Sequence, residues 1–294
     1  MLSTDPLAHA LFAGADTASP HAVATALAAI EKRLFPAEAE AEALHHLVSE
    51  VEAMFEGRFA FFQAMDTPYH DFEHTLQATL CWAQLALGYA RTGRRPQLTH
   101  EFFRIGLVAI LLHDIGYLKD ETDEHGTGAK FTAVHERRSC ELAHVCLSAN
   151  GWAQEDIFAI QHMISCTGPR AVLETIPFRH RLERILGQMV CTADYLGQLS
   201  DPRYVEKIPA LYREFEESDA YRGLPPERRA VPSLEALYAR TGDFWRAVVQ
   251  PRLEGECGGL LHTLASPEDG RNAYLEAIES NLARVGLLSP PGEA

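Results

Sequence analysis

The chain has 294 residues, enough to bury a large hydrophobic core in one or two domains. Hydrophobic residues make up 47% of it, and no apolar run reaches the roughly 18 residues of a membrane span, so we expect no membrane partner. Acidic residues outnumber basic ones 41 to 26 and the formal net charge is −15, which argues against a nucleic-acid polymer as partner.

Hydrophobic periodicity predicts helices along most of the chain. The segment HEFFRIGLVAILLHDIGYL is apolar on all sides, which predicts a central buried helix, and the polar segment 119–130 predicts an exposed loop near the functional site. The first predicted helix covers 20–34, with Ser19 as its N-cap, and the second about 37–64. A third begins after Pro68 and ends at GRRPQ, and the HEFFRIGL segment forms the next. The later predicted helices cover about 132–149, 153–165, 179–199 and 270–285.

These elements predict an all-α fold, which we expect to form one structural domain. It comprises an N-terminal helical extension (1–65), a core (66–200) and C-terminal helices packed on that core (201–294).

The first residues, MLSTDPLAHALFAGADT, lack a basic region followed by a clean apolar stretch, so we predict no signal peptide. The six cysteines, at 81, 140, 146, 166, 191 and 257, include no CxxC pair. They predict buried free thiols in a reducing cytoplasm, and the aromatic stripe Phe59, Phe61 and Phe62 is assigned to the core.

Metal-binding side chains stand beside several of the predicted helices. They are His70 and His74 in YHDFEHT, His113 and Asp114 in LLHDIGYL, His135, His162 and Asp194. Residues i and i+4 of a helix share a face, which predicts that His70 and His74 point into one cavity. His113 and Asp114 can both reach one site only near a helix end, and Gly116 stands where such an end would fall.

This set of ligands suits hydrolysis of a phosphoester. Two metal ions about 3.5–4 Å apart supply a hydroxide at neutral pH and positive charge for the phosphoryl oxygens. Asp114 could bridge the two ions with its two carboxylate oxygens. Without His70, the set has four histidines and two aspartates, which favours two divalent transition-metal ions, namely Mn, Fe, Co, Ni or Zn, over Mg.

The order H…HD…H…H…D, formed here by His74, His113-Asp114, His135, His162 and Asp194, resembles the HD-domain superfamily of metal-dependent phosphohydrolases over about residues 66–200. PYHDFEHT resembles the YHNxxHA segment of its cyclic-nucleotide phosphodiesterase branch. The resemblance implies an HD-domain helical bundle. It implies that one metal ion is held by His74, His113, Asp114 and Asp194. It implies that a second ion is held by Asp114, His135 and His162, and that His70 protonates the leaving alkoxide.

The sequence departs from that branch at two positions. Asp71 replaces the Asn of its motif, and Tyr117 occupies the last position of its HDxxH pattern. The resemblance therefore implies a phosphodiesterase or phosphatase that acts on a small phosphorylated substrate, a nucleotide or cyclic nucleotide, through a metal-bound hydroxide. The sequence does not determine the oligomeric state, and a homodimer is possible.

Two other functions compete with this one. The myo-inositol oxygenase-like branch uses the same ligand order for a mixed-valent di-iron centre, although myo-inositol oxygenase carries Lys where this chain has Tyr117. A non-catalytic module that senses a nucleotide is the other alternative.

Several roles stay open at the sequence level. His125 and His144 compete with His135 and His162 as ligands. Glu136 orients a water or faces solvent. Arg137 and Arg138 bind phosphate or pair with Glu141 on the helix surface, and Lys119 and Lys130 contact an anionic substrate or are solvated loop charges.

Overall fold

The computed structural model describes residues 16–59 and 61–288, and this part of the chain is helical without a strand. Phe62 and Asp120 form one isolated antiparallel bridge. The all-α prediction is confirmed. The helices are α1 (Pro20–Leu34), α2 (Ala41–Phe55), α3 (Phe72–Arg91), α4 (His100–Leu111), α5 (His135–Ala149), α6 (Gln154–Ile164), α7 (Arg181–Ser200), α8 (Tyr204–Tyr221), α9 (Leu234–Phe244), α10 (Gln250–Glu254) and α11 (Ala273–Leu288).

The ends of the first two helices follow from their capping residues. α1 begins as predicted, because the Ser19 hydroxyl accepts a hydrogen bond from the Ala22 N–H at 3.2 Å. α2 ends at Phe55, earlier than the predicted residue 64. Gly57, just after this end, has a φ of 70°, and the Arg58 N–H donates to the Ala53 carbonyl, which is the hydrogen bond that closes many helices at a glycine.

The start of α3 corrects one sequence prediction. Asp71 is the N-cap of this helix, and its carboxylate accepts a hydrogen bond from the His74 N–H at 2.8 Å. His70 therefore precedes the helix, and the prediction that it shares a helical face with His74 is wrong. The acidic cap also explains the Asp at this position, since Asp and Asn cap helices about equally well.

The apolar segment before His113 forms a buried helix, as predicted, with Ile105–Leu111 inside the core. α4 ends at Leu111, before the His113-Asp114 pair, so the prediction that Gly116 ends it is wrong. Gly116 lies in a short 3-10 turn, Ile115–Tyr117. A Cβ there would lie 2.0 Å from the His135 carbonyl oxygen, so only glycine allows this turn to approach α5.

Four helices, α3, α4, α6 and α7, pack against one another at the centre of the molecule. α3 and α7 run antiparallel, because His74 at the start of α3 lies near Asp194 towards the end of α7, whereas Tyr89 and Arg181, at their other ends, line one cavity. A Cβ at Gly197 would lie 2.9 Å from the Ala78 N atom, so a glycine lets the two backbones approach. α1 packs on α3, and α11 on α7.

The polar segment 119–130 is less exposed than predicted. Lys119 and Lys130 are buried, and neither is a solvated loop charge. Lys119 pairs with Asp66 at 2.8 Å and Lys130 with Asp123 at 2.6 Å, so both ammonium groups neutralise acids of the loop and its surroundings.

The remaining predictions have mixed outcomes. All six cysteines are free, and all except Cys140 are buried. Phe59 and Phe62 pack against the core, but Phe61 is 72% exposed, so its assignment to the core is wrong. None of the described helices is long and apolar enough to cross a membrane. The signal-peptide prediction concerns a segment that lies almost entirely outside the described residues, and the domain boundaries stay predictions.

We predict that Gly197→Ala destabilises the protein by about 1–3 kcal/mol, because the added methyl group has to separate α3 from α7. The matched control is Gly286→Ala in α11, where an added Cβ meets no atom within 4 Å. That change should be neutral or stabilising by up to about 1 kcal/mol. Chemical denaturation of both variants measures the effect, and equal stabilities would contradict the packing described here.

Candidate metal centre

Four side chains from three parts of the fold converge at the start of α3. His74 comes from its first turn, His113 and Asp114 follow α4, and Asp194 comes from α7. The His74 Nε2 atom lies 3.5 Å from Asp114 Oδ2 and 3.3 Å from Asp194 Oδ1. The His113 Nε2 atom lies 3.2 Å and 3.6 Å from the same two oxygens.

These distances fit a group of ligands around a cation. Ligand atoms about 2.1 Å from a tetrahedral metal ion are about 3.4 Å apart, which matches the four measured separations. The buried atoms His74 Nε2, His113 Nε2 and Asp114 Oδ2 have no hydrogen-bond partner. A buried carboxylate without a partner is costly, so the residues fit a bound metal ion.

The tautomer of His113 also suits a ligand. Its Nδ1 atom lies 2.7 Å from the Ile110 carbonyl oxygen, which can only accept, so Nδ1 carries the proton. The Nε2 atom then faces the two carboxylates, at the position where a metal ion would be held. Backbone carbonyls commonly orient metal-binding histidines in this way.

His135 lies on the other side of Asp114. Its Nδ1 atom donates to the Thr132 carbonyl at 2.8 Å, and its Nε2 atom lies 3.5 Å from Asp114 Oδ1. The two oxygens of Asp114 therefore face different histidines. This arrangement is what a carboxylate that bridges two ions requires.

His162 is not brought into the same group. Its Nδ1 atom hydrogen bonds Glu183 Oε1 at 2.6 Å, and its ring packs against Phe178. In the described part of the chain, the ligand atoms that all lie within 4.8 Å of one another belong to His74, His113 and Asp114. His162 lies outside this group, and so do Asp194 and His135. The predicted role of His162 as a ligand stays a prediction.

His70 lies beside this cluster with a buried acid behind it. Its Nδ1 atom hydrogen bonds the carboxylate of Glu214, a fully buried residue of α8. The other oxygen of Glu214 accepts from the Tyr69 and His70 N–H groups at 2.7 and 3.0 Å. Glu214 thus fixes both the backbone and the ring of His70.

The charges around His70 favour its protonated form. Burial lowers the pKa of this imidazole, but attraction and the hydrogen bond from Glu214, with smaller contributions from Asp114 and Asp194, raise it to about 9. His70 therefore holds a proton at neutral pH when these acids are ionised.

The ring of Tyr117 packs against two of these histidines. Its ring stacks on His70, with centroids 4.7 Å apart, and on His135, with centroids 4.5 Å apart. Tyr117 is fully buried. The tyrosine at the last position of the HDxxH pattern therefore contacts both imidazole rings, whose centroids lie 6.0 Å from each other.

The other candidate residues have mostly structural contacts. Arg137 pairs with Glu141 at 3.0 Å on the surface of α5. Arg138 donates to the Gly116 and Leu118 carbonyls, each at 2.7 Å, and so holds the turn after the His113-Asp114 pair.

The competing residues lie apart from the cluster or at its edge. His125 is exposed in the 119–130 loop, and His144 is half-buried on α5. Neither belongs to the group of ligand atoms within 4.8 Å. Glu136 Oε2 lies 3.7 Å from the His135 Nδ1 atom, and its side chain is 27% exposed.

Sequence reasoning missed two buried acids that hold histidines of the candidate site, Glu183 and Glu214. Glu183 is three residues after the N-cap His180 and forms a capping box, a pattern that the sequence does show. Its bond to His162 depends on how α6 packs against α7. Glu214 lies in the acidic segment REFEESDAY, which reads as a solvated helix face and gives no signal of burial.

Comparison with known proteins finds a family that matches part of the sequence and a solved structure with a similar fold. A family described as Npun_R2479-like matches residues 158–285, less than half of the chain, and this part includes Asp194 but not His74 or the His113-Asp114 pair. No curated protein matches the chain. The phosphodiesterase domain of Salpingoeca rosetta rhodopsin phosphodiesterase has a similar structure, with a TM-score of 0.57 and 15% sequence identity.

That structural match covers 98% of this chain and 96% of the phosphodiesterase domain. It therefore extends over the N- and C-terminal helices as well as the region that carries the ligands. The fold expected from the resemblance to HD-domain phosphohydrolases is confirmed: this chain has the helical fold of a phosphodiesterase domain and carries in it a His-His-Asp group able to hold a metal ion.

Proposed function

We propose that the protein is a metal-dependent phosphohydrolase, a phosphodiesterase or phosphatase that acts on a nucleotide or cyclic nucleotide. The observation that carries the proposal is the buried group of ligand atoms from His74, His113 and Asp114, with Asp194 Oδ1 3.3 Å from His74 Nε2 and the ring of His70 beside them. The fold shared with a phosphodiesterase domain supports it.

The residues proposed to hold the first ion are His74, His113, Asp114 and Asp194. A second ion is proposed between the other oxygen of Asp114 and His135, with His162 as a further ligand. Divalent transition metals bound there supply Lewis acidity and a nucleophile at neutral pH. Imidazole ligands favour Mn, Fe, Co, Ni or Zn over Mg.

The local charge allows an anionic substrate to bind to an acidic protein. A net charge of −15 repels phosphates at long range. The imidazoles are neutral ligands, so Asp114 and Asp194 together cancel only part of the charge of two divalent ions. The site then stays positive for a small phosphorylated substrate.

His70 is proposed as the general acid. Its Nδ1 atom is held by Glu214, so a proton on its Nε2 atom is the one available to a leaving oxygen. Stacking on Tyr117 fixes the plane of the ring. A positioned acid of this kind contributes roughly 10²–10⁴ in rate.

We predict that Asp114→Asn removes metal binding and lowers hydrolysis at least about a thousandfold, because this carboxylate faces both groups of histidines. The assay uses metal-loaded protein with p-nitrophenyl phosphate, bis-p-nitrophenyl phosphate and 3′,5′-cyclic AMP and GMP. The matched control is Asp243→Asn, an exposed aspartate that pairs with Arg246.

The control should keep its metal and its activity. Three results would contradict the proposal: full activity in Asp114→Asn, no hydrolysis of any substrate by the loaded wild-type protein, or turnover that consumes O₂ instead of releasing phosphate or alcohol.

We predict that Glu214→Gln shifts the alkaline limb of the pH–activity profile to lower pH. Without the carboxylate, the pKa of His70 falls from about 9 towards its usual 6.5, so the acid loses its proton earlier as pH rises. At pH 8, kcat should fall about tenfold. Glu216→Gln on the same helix, whose partner is the Tyr212 hydroxyl, should leave the profile unchanged.

A uniform loss of activity in Glu214→Gln, with the profile in its original place, would show that Glu214 only supports the fold. Thermal denaturation of the same variant separates this outcome from unfolding.

A further inference from the structure

A second cavity lies at the far end of the central helix pair. It has a volume of about 940 Å³ and is bordered by the end of α3, the start of α7 and the glycine-containing turn after α10. Tyr89 on its wall is fifteen residues beyond His74 in α3, which corresponds to about 22 Å along the helix. The cavity is therefore separate from the metal centre.

The lining of this cavity is basic although the chain is acidic. Arg94 and Arg95 come from the turn after α3, and Arg181 and Arg184 come from the first two turns of α7. Two acids, Glu174 and Glu256, also line it, which leaves a formal excess of two positive charges in a protein of net charge −15.

Two of the four guanidinium groups have protein partners. Arg184 lies 3.4 Å from Glu174, and Arg94 donates to the Gly258 carbonyl at 3.4 Å. For Arg95 and Arg181 the described residues provide neither a hydrogen bond nor an ion pair. These two groups are free to bind a ligand.

The position of Arg181 points to the same use. It is the first residue of α7, a helix of 20 residues, where the helix dipole is positive and a cation is locally unfavourable. The positive end of the dipole adds to the field of the four arginines. This corner of the molecule is therefore built to favour an anion rather than to stabilise the helix.

We propose that this cavity binds the di- or triphosphate chain of a small molecule. Guanidinium groups from two different elements of the lining match the several oxygens of such a chain, which they can bind in pairs of parallel hydrogen bonds. The volume is sufficient for a nucleoside triphosphate.

The lining favours the phosphates over a base as the recognised part. Tyr89, the aromatic residue of the lining, is only 2% exposed, and its hydroxyl donates to the Pro96 carbonyl at 2.7 Å. No stacking surface for a base is therefore offered by the lining residues. Inorganic polyphosphate and a nucleotide share the chemistry that the site recognises.

Calorimetric titration of the full chain with tripolyphosphate, ATP and AMP tests this proposal. Excess EDTA keeps the metal centre empty, so binding here is measured independently of any hydrolysis. Tripolyphosphate and ATP should bind, AMP should bind at least about tenfold more weakly, and affinity should fall with added salt.

The variant Arg95→Glu/Arg181→Glu should lower the affinity for tripolyphosphate and for ATP at least about tenfold. Both side chains are exposed, and an acid is favourable at the start of α7, so the variant should fold. The matched control, Arg137→Glu/Arg246→Glu, reverses the charge of two exposed arginines outside the cavity. It should bind both ligands with the affinity of the wild-type protein.

Equal affinities for tripolyphosphate and ATP would identify the phosphate chain alone as the ligand, and tighter binding of ATP would identify a nucleotide. Absence of binding by both, or unchanged binding in the Arg95→Glu/Arg181→Glu variant, would overturn the proposal.

Discussion

The carboxylate of Asp114 is buried between two histidines, with His113 facing one of its oxygens and His135 the other. Burial alone would raise the pKa of this carboxyl, but His113, His70 and His135 hold it well below its usual range. In the described structure its Oδ2 atom is buried without a hydrogen-bond partner, which is costly for an ionised acid. A metal ion satisfies the oxygens and the ring nitrogens together.

The rest of the fold serves to keep these groups close. Antiparallel packing of α3 on α7 places His74 opposite Asp194, and Gly197 allows the backbones to approach closely enough. The end of α4 supplies the adjacent pair, and Gly116 lets the following turn rest against α5, which brings His135 to Asp114. Helices distant in sequence therefore contribute ligands to one point.

Most of the fold and part of the site could be predicted from the sequence. Periodicity and caps were sufficient for the helices, and the ligand order was sufficient to single out residues that the structure places together around Asp114. The position of His70 was predicted wrongly because periodicity placed this residue inside the helix, whereas the helix begins after its cap, Asp71. Glu214 could not be found, since its burial depends on the packing of α8 against residues far away in sequence. The neighbours of His162 likewise depend on tertiary packing.

The buried histidines therefore fall into two kinds. His74 and His113 offer Nε2 atoms without hydrogen-bond partners to the carboxylates, which suits coordination, whereas His70 is held in its charged form by Glu214, which suits proton transfer. Tyr117 stacks on the ring of His70, and Arg138 hydrogen bonds the turn that follows the His113-Asp114 pair.

X-ray absorption spectroscopy at the edge of the resident metal, on protein purified gently and after His74→Ala substitution, tests the central claim most directly. The account predicts a divalent transition metal with two or more imidazole nitrogens and carboxylate oxygens near about 2.1 Å, and fewer nitrogens or no metal in the variant. A protein that takes up no divalent ion, or one whose metal environment is unchanged by His74→Ala, would contradict it.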